Sequence, residues 1–122
     1  MRIRILWPAG QATAELRSTP TSEKLWAALP IDSTARTWGD EVYFDAGLSV
    51  PREPDAAQVV DPGTVAFWTD GDSLALPFGP TPISHHGECR LASPCNLLGA
   101  LDGDPAVLRT VRDGDAIRVE RV

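Results

Sequence analysis

Apolar and polar residues alternate from the start of the chain. Ile3, Ile5 and Trp7 stand on one side against Arg2, Arg4 and Leu6 on the other, followed by Pro8-Ala9-Gly10-Gln11 and a second alternating stretch from Ala12 to Arg17. Period-two alternation on both sides of a turn-forming cluster predicts a hairpin of half-buried strands. Thr19-Pro20 then breaks the pattern: Thr19 carries an N-cap side chain, and Pro20 occupies the first helical position, where a missing N–H costs no bond. Leu25, Trp26 and Leu29 follow at helical spacing up to Pro30, which predicts one helix of about ten residues. Gly39-Asp40 lies between alternating stretches at 33–38 and 41–44 and supplies the positive φ of a tight turn, so a second hairpin is expected.

Polarity rises over 45–58, where Pro51 and Pro54 interrupt; beyond a short strand at 48–50 this segment reads as a surface loop. Asp61-Pro62-Gly63 leads into a strand over 64–68, Thr69-Asp70-Gly71-Asp72 turns again, and a strand over 73–78 completes a third hairpin, the most apolar in the chain. Residues 79–94 hold Pro80, Pro82, Pro94, both histidines and Cys89 without periodicity. They read as one long loop, of a kind that is often functional. A strand over 96–101 follows, then a second short helix begun by Asp104 and Pro105 with Val107, Leu108 and Val111 inward, then Asp113-Gly114 and a last strand over 116–122. Eight or so short strands and two short helices predict a mainly β chain folded as a closed or nearly closed barrel, since closure removes exposed edges. No repeat of propeller or solenoid length is present.

Composition narrows the partners. The chain has 122 residues, enough for one domain over 1–122, and a chain of this size buries roughly two-thirds of its surface on folding. Its net charge is −6, and ten of its eleven basic residues are arginines scattered along the chain, Lys24 being the exception. Binding to a nucleic acid draws on clustered cations that release phosphate counterions, and anionic membranes attract similar clusters; neither partner is expected here. No apolar run approaches the roughly 20 residues of a membrane span, and no apolar stretch of a secretory signal follows the early charges. A cytoplasmic protein is expected, in which Cys89 and Cys95 stay reduced.

Three stretches bring a resemblance. Thr37-Trp38-Gly39-Asp40-Glu41-Val42-Tyr43-Phe44, Pro62-Gly63-Thr64-Val65-Ala66-Phe67-Trp68 and Phe78-Gly79-Pro80-Thr81-Pro82-Ile83-Ser84 are similar to the small prokaryotic cyclophilin-like domain proteins, and the likeness continues through Leu91-Ala92-Ser93-Pro94-Cys95-Asn96-Leu97-Leu98-Gly99. The resemblance implies an eight-stranded cyclophilin-like barrel capped by two helices. It brings no settled activity, because fold alone does not fix one.

In true cyclophilins an arginine and a glutamine act on a peptide beside an aromatic-lined proline pocket. Arg52, Gln58 and Phe78 have the matching chemistry, but they stand outside the Phe-Met-x-Gln-Gly-Gly and Asn-Gly-Ser-Gln-Phe-Phe stretches that carry it, so prolyl isomerisation is the runner-up reading. A role as accessory subunit of an amide-hydrolysing assembly, where related domains occur, stands beside it. The leading expectation is a binding cleft on the barrel wall. If Phe44, Phe67, Leu74 and Leu76 fill the barrel, strand alternation leaves Tyr43 and Trp68 outside, where the 79–94 loop can close over them. Trp38 is expected to pack against a helix or the loop. The expected ligand-binding set is Tyr43, Trp68, Phe78, Arg52, Thr81 and His85, for a small molecule or an extended peptide, with no cofactor and with a homodimer left open.

Other clusters carry less. His85-His86-Gly87-Glu88-Cys89 and Cys95 have metal-binding side chains at spacings that match no usual zinc pattern, so no metal is expected. The triplet Asp-Gly-Asp occurs three times, at 70–72, 102–104 and 113–115. It lacks the further oxygen ligands of a calcium loop and reads as turn chemistry, glycine taking the left-handed residue. No Gly-x-Ser-x-Gly nucleophile elbow is present.

Overall fold

A computed structural model describes residues 1–122. β1 (Arg2–Trp7) and β2 (Gly10–Leu16) form the first hairpin, burying Ile3, Ile5, Ala14 and Leu16 while the alternate positions face outward. α1 (Pro20–Ala28) begins where the capping signal lies: the Thr19 hydroxyl oxygen accepts the Ser22 amide at 3.0 Å. Leu25 and Leu29 enter the core, whereas Trp26 stays half-buried with the Arg121 guanidinium 4.7 Å from its ring centre.

The remaining strands are β3 (Ile31–Thr34), β4 (Arg36–Thr37), β5 (Glu41–Asp45), β6 (Ala57–Val60), β7 (Thr64–Trp68), β8 (Ser73–Pro77), β9 (Cys89–Leu101) and β10 (Ala116–Arg121). They pair in the order β3-β10-β1-β2-β9-β7-β8-β5-β4, with β6 attached to β9 off this path. The two ends of that order, β3 and β4, are consecutive in the chain and separated only by Ala35. The Ala35 amide donates to the Asp115 carbonyl and its own carbonyl accepts the Gly114 amide, both at 2.8 Å. One extended segment thus pairs with β10 through its first half and with β5 through its second, and the sheet nearly closes into a barrel. The 3-10 helix Pro105–Thr110 accompanies α1, its first turn capped by Asp104 Oδ1 accepting from the Ala106 amide at 2.9 Å.

Phe44, Phe67, Leu74 and Leu76 fill the interior, as the alternation predicts. What the alternation does not predict is that β7 and β8 are covered on their outer face as well. β9 is the reason. Residues 96–101 of this strand pair with β7 and β2 inside the barrel wall, while residues 89–95 pair only with β6 and cross the outer face, where Leu91 and Cys95 pack on Ala66 and Ala75. The alanines make the crossing feasible, because their short side chains leave room for a second layer.

Several sequence expectations are corrected. The 79–94 loop ends at Cys89, where β9 begins. Pro94 is tolerated because the β6–β9 register slips between Ala57 and Val59, and prolines in sheets sit at such irregularities. β6 lies where a loop was expected through residue 58. No strand forms at 48–50: Asp45 Oδ1 accepts the Gly47 amide at 2.7 Å, Gly47 takes φ +71, and Leu48 and Val50 pack half-buried on the core without a strand partner. The second short helix is 3-10 in type, and Val107 faces outward while Leu108 and Val111 are buried. Of the three Asp-Gly-Asp turns, those with Gly103 and Gly114 put glycine at positive φ, but at the first it is Asp72, with φ 49, that is left-handed.

Candidate functional site

On the outer face, strand alternation aligns Glu41 and Tyr43 of β5, Ala75 of β8 and Ala66 and Trp68 of β7. The crossing half of β9 covers part of this row and leaves a cavity of about 140 Å³ beside it. Tyr43 and Trp68 wall the cavity together with Trp38, which follows β4 and whose amide donates to the Glu41 carbonyl at 3.0 Å. Tyr43 and Trp68 meet edge to face, ring centres 6.0 Å apart and planes at 85°. Trp38, expected to pack against a helix or the loop, thus borders the same cavity as Tyr43 and Trp68.

Trp68 is held from two sides. Its Nε1–H donates to Ser93 Oγ at 2.9 Å, Ser93 donates to Asp70 Oδ2 at 2.8 Å, and Arg52 Nη2 reaches the same oxygen at 3.4 Å. Its ring lies so close over the 3-10 turn Thr69–Gly71 that a β-carbon on Gly71 would stand 2.3 Å from a ring carbon. Glycine at 71 serves this close approach; the left-handed turn falls to Asp72.

Glu41 is the chemical centre of the cavity. It is 6% exposed, belongs to no salt bridge, and its Oε1 has no hydrogen-bond partner. Burial alone pushes its carboxyl up from 4.5 to about 7. Buried polar atoms without partners are rare in folded proteins, and one that faces a cavity together with a perturbed carboxyl is a mark of a functional site. Alternation does place Glu41 outward beside Tyr43, but an outward glutamate on a barrel strand reads as solvated. In the fold it is buried, in a cavity whose lining includes Leu91, Ala92 and Cys95 of the crossing half of β9. Cys95 also borders the cavity, with its thiol pushed up to about 12 by burial first and by the nearby Glu41 second.

The other expected ligand-binding residues do not converge on this cavity. Phe78 packs on the interior cluster, with the Arg109 guanidinium 5.2 Å from its ring centre. Arg109 in turn holds Asp40 through paired bonds of 3.1 and 3.2 Å. Thr81 is buried and structural, its hydroxyl donating to the Arg90 carbonyl and its amide to Ser84 Oγ at 2.9 Å. His85 is exposed, its Nδ1 3.4 Å from Glu88. Arg52 acts on the site only through the Asp70 and Ser93 chain that ends on Trp68. Gln58 donates to the Leu91 carbonyl at 3.0 Å and so fastens β6 to the crossing strand. His85, His86, Glu88, Cys89 and Cys95 do not gather, and no three His, Cys, Asp or Glu side chains stand together as metal ligands. No helix is long and apolar enough to cross a membrane.

A search of the curated proteins finds no match. Among solved structures, a hypothetical protein from Archaeoglobus fulgidus, determined in solution, is 38% identical with a TM-score of 0.85, the match covering 100% of this chain and 95% of that one. The cyclophilin-like family model matches residues 1–120. With nearly the whole chain matched and the fold shared, the chain belongs to the cyclophilin-like family.

Proposed function

We propose that this domain binds a small molecule in the cavity on its outer wall, the ligand laying an apolar or aromatic group between Trp38, Tyr43 and Trp68 and presenting a hydrogen-bond donor to Glu41. The observation that carries this reading is the unpartnered Oε1 of a 6% exposed glutamate in an aromatic-walled space. An empty site of that kind is costly to keep, and a donor from a ligand removes the cost. The cavity of about 140 Å³ is close to the roughly 150 Å³ that takes a benzene in an engineered core. One ring or one branched head fits, and so does a single side chain of a peptide, whose backbone would then lie outside.

Binding is favoured over reaction by what the walls lack. The one thiol there, Cys95, is pushed to about 12 by burial and holds no useful thiolate at neutral pH. No histidine, serine or lysine borders the cavity. Tryptophan fluorescence titration against a metabolite and peptide library tests the reading, since two of the chain's four tryptophans stand at the site. The expected result is a saturable change with at least one compound, lost in Tyr43→Ala and Trp68→Ala proteins that still fold. A ligand bound equally well by both variants removes the cavity from consideration.

A further inference from the structure

Resting on that binding reading, the walls of the cavity also define a chemical class. Indole and phenol rings carry negative faces that attract cations, most strongly where water is excluded. Here three such rings border one cavity with one acid. The residues that line the cavity with Glu41 supply no cation, Tyr43 on its own strand, Ala75 on β8, Trp68 on β7 and Leu91, Ala92 and Cys95 on β9, and neither does Pro77, its register partner on β8. Cys89 lies further along β9 with its thiol protonated, and Asp40, the preceding residue, is already held by Arg109. The acid therefore lacks both a counter-charge and a donor, and it shares its cavity with three aromatic rings.

Size and hydration decide which cation. A guanidinium or a bare primary ammonium carries three or more N–H groups that need partners, and among the eight residues lining the cavity Glu41 is the one charged acceptor, the others being aromatic, aliphatic or a thiol. An alkylated ammonium offers methyl or methylene surface to the rings and a single N–H to the acceptor. We propose that the cavity binds an alkylated ammonium group, its alkyl faces against Trp38, Tyr43 and Trp68 and its N–H directed to the Glu41 carboxylate.

The test compares N,N-dimethylethanolamine, charged at neutral pH, with its uncharged carbon isostere 3-methylbutan-1-ol, by tryptophan fluorescence and calorimetry on the full chain. At pH 8 the amine is expected to bind at least tenfold more tightly than the alcohol. Because the amine needs an ionised Glu41, its affinity should rise about thirtyfold between pH 5.5 and 8 and level off above pH 7, while that of the alcohol does not rise. Glu41→Gln should abolish both the preference and its pH dependence while keeping the alcohol, which also shows that the variant is folded. Equal affinity for amine and alcohol, or a preference that survives at pH 5.5 or in Glu41→Gln, overturns the ammonium assignment and leaves the cavity a binding site for neutral groups. Silence of every compound here and in the library overturns both readings together. A short peptide carrying dimethyllysine separates the sources: tighter binding than the free amine assigns the head to a protein side chain, weaker or equal binding to a free metabolite, and either result upholds the class.

Discussion

Glu41→Gln should stabilise the ligand-free protein at high pH and lose that advantage in acid. In the folded chain burial raises the Glu41 carboxyl from 4.5 to about 7. Between those values the folded state keeps a proton that the unfolded state has released, so stability falls as pH rises from about 4.5 through about 7 and is level above. At about 1.4 kcal/mol per pH unit, the interval amounts to about 3 kcal/mol, a penalty present at pH 8 and absent at pH 4. Glutamine is neutral throughout. Its buried amide has an unmet bond of its own, but that contribution does not change with pH and drops out when two pH values are compared. The carboxylates held below their usual range, Glu88 by Arg90 and Asp102 by Thr13 and Arg2, lose their support in acid in both proteins alike. Urea unfolding of both proteins between pH 4 and 8 measures the difference directly. The variant should gain about 3 kcal/mol relative to wild type across that range, or about 10 °C in Tm for a chain of this length. A difference that stays flat within about 1 kcal/mol refutes the argument, since it would mean that Glu41 is hydrated or paired in solution.

Three further outcomes follow from packing and bonding. Gly71→Ala places a β-carbon 2.3 Å from the Trp68 ring; it should cost about 1–3 kcal/mol in urea unfolding and red-shift tryptophan emission as the indole is displaced, and unchanged emission contradicts the close approach. Asn96, fully buried, donates to Thr21 Oγ1 at 2.9 Å and to the Pro51 carbonyl at 3.0 Å, and accepts the Glu53 amide at 2.7 Å. Asn96→Ala strands these groups and should lower stability by about 3 kcal/mol; a loss below 1 kcal/mol would show that water replaces the side chain. Protease-coupled assays on a proline tetrapeptide should show no isomerisation, because Arg52, Gln58 and Phe78 are engaged by Asp70, the Leu91 carbonyl and Arg109; appreciable catalysis at high protein concentration overturns this.

Local signals were legible where neighbouring residues alone decide the structure. Thr19-Pro20 marks the start of α1, Gly39 takes the positive φ of its turn, and the alternation of Val42 and Phe44 against Glu41 and Tyr43 separates interior from wall. Tyr43 and Trp68 were legible as residues of the outer face for the same reason. Long-range geometry was not. Nothing near residues 89–95 announces that they cross the outside of the barrel, since Pro94 and the two histidines hide the alternation of Cys89 and Leu91. That crossing supplies Leu91, Ala92 and Cys95 to the cavity that Glu41 and Trp38 also line, and Phe78, Thr81 and His85 do not border it. Gly71 illustrates the same limit: as part of an Asp-Gly-Asp triplet it reads as a turn glycine, and only the position of the Trp68 ring reveals why a side chain is excluded.

The two faces of β5 have a consequence for how such a protein diverges. Val42 and Phe44 point into a filled interior, while Glu41 and Tyr43, one residue away on either side, point into the cavity. On the binding reading proposed above, substitutions at the outer pair alter what is recognised with little bearing on interior volume, and those at the inner pair do the reverse. Selection can therefore act on ligand choice and on persistence of the barrel through separate sets of codons in one strand. On that reading, a lineage can exchange the acid at position 41 for a neutral residue, trading affinity for robustness, and recover the proposed specificity later by a single reversion.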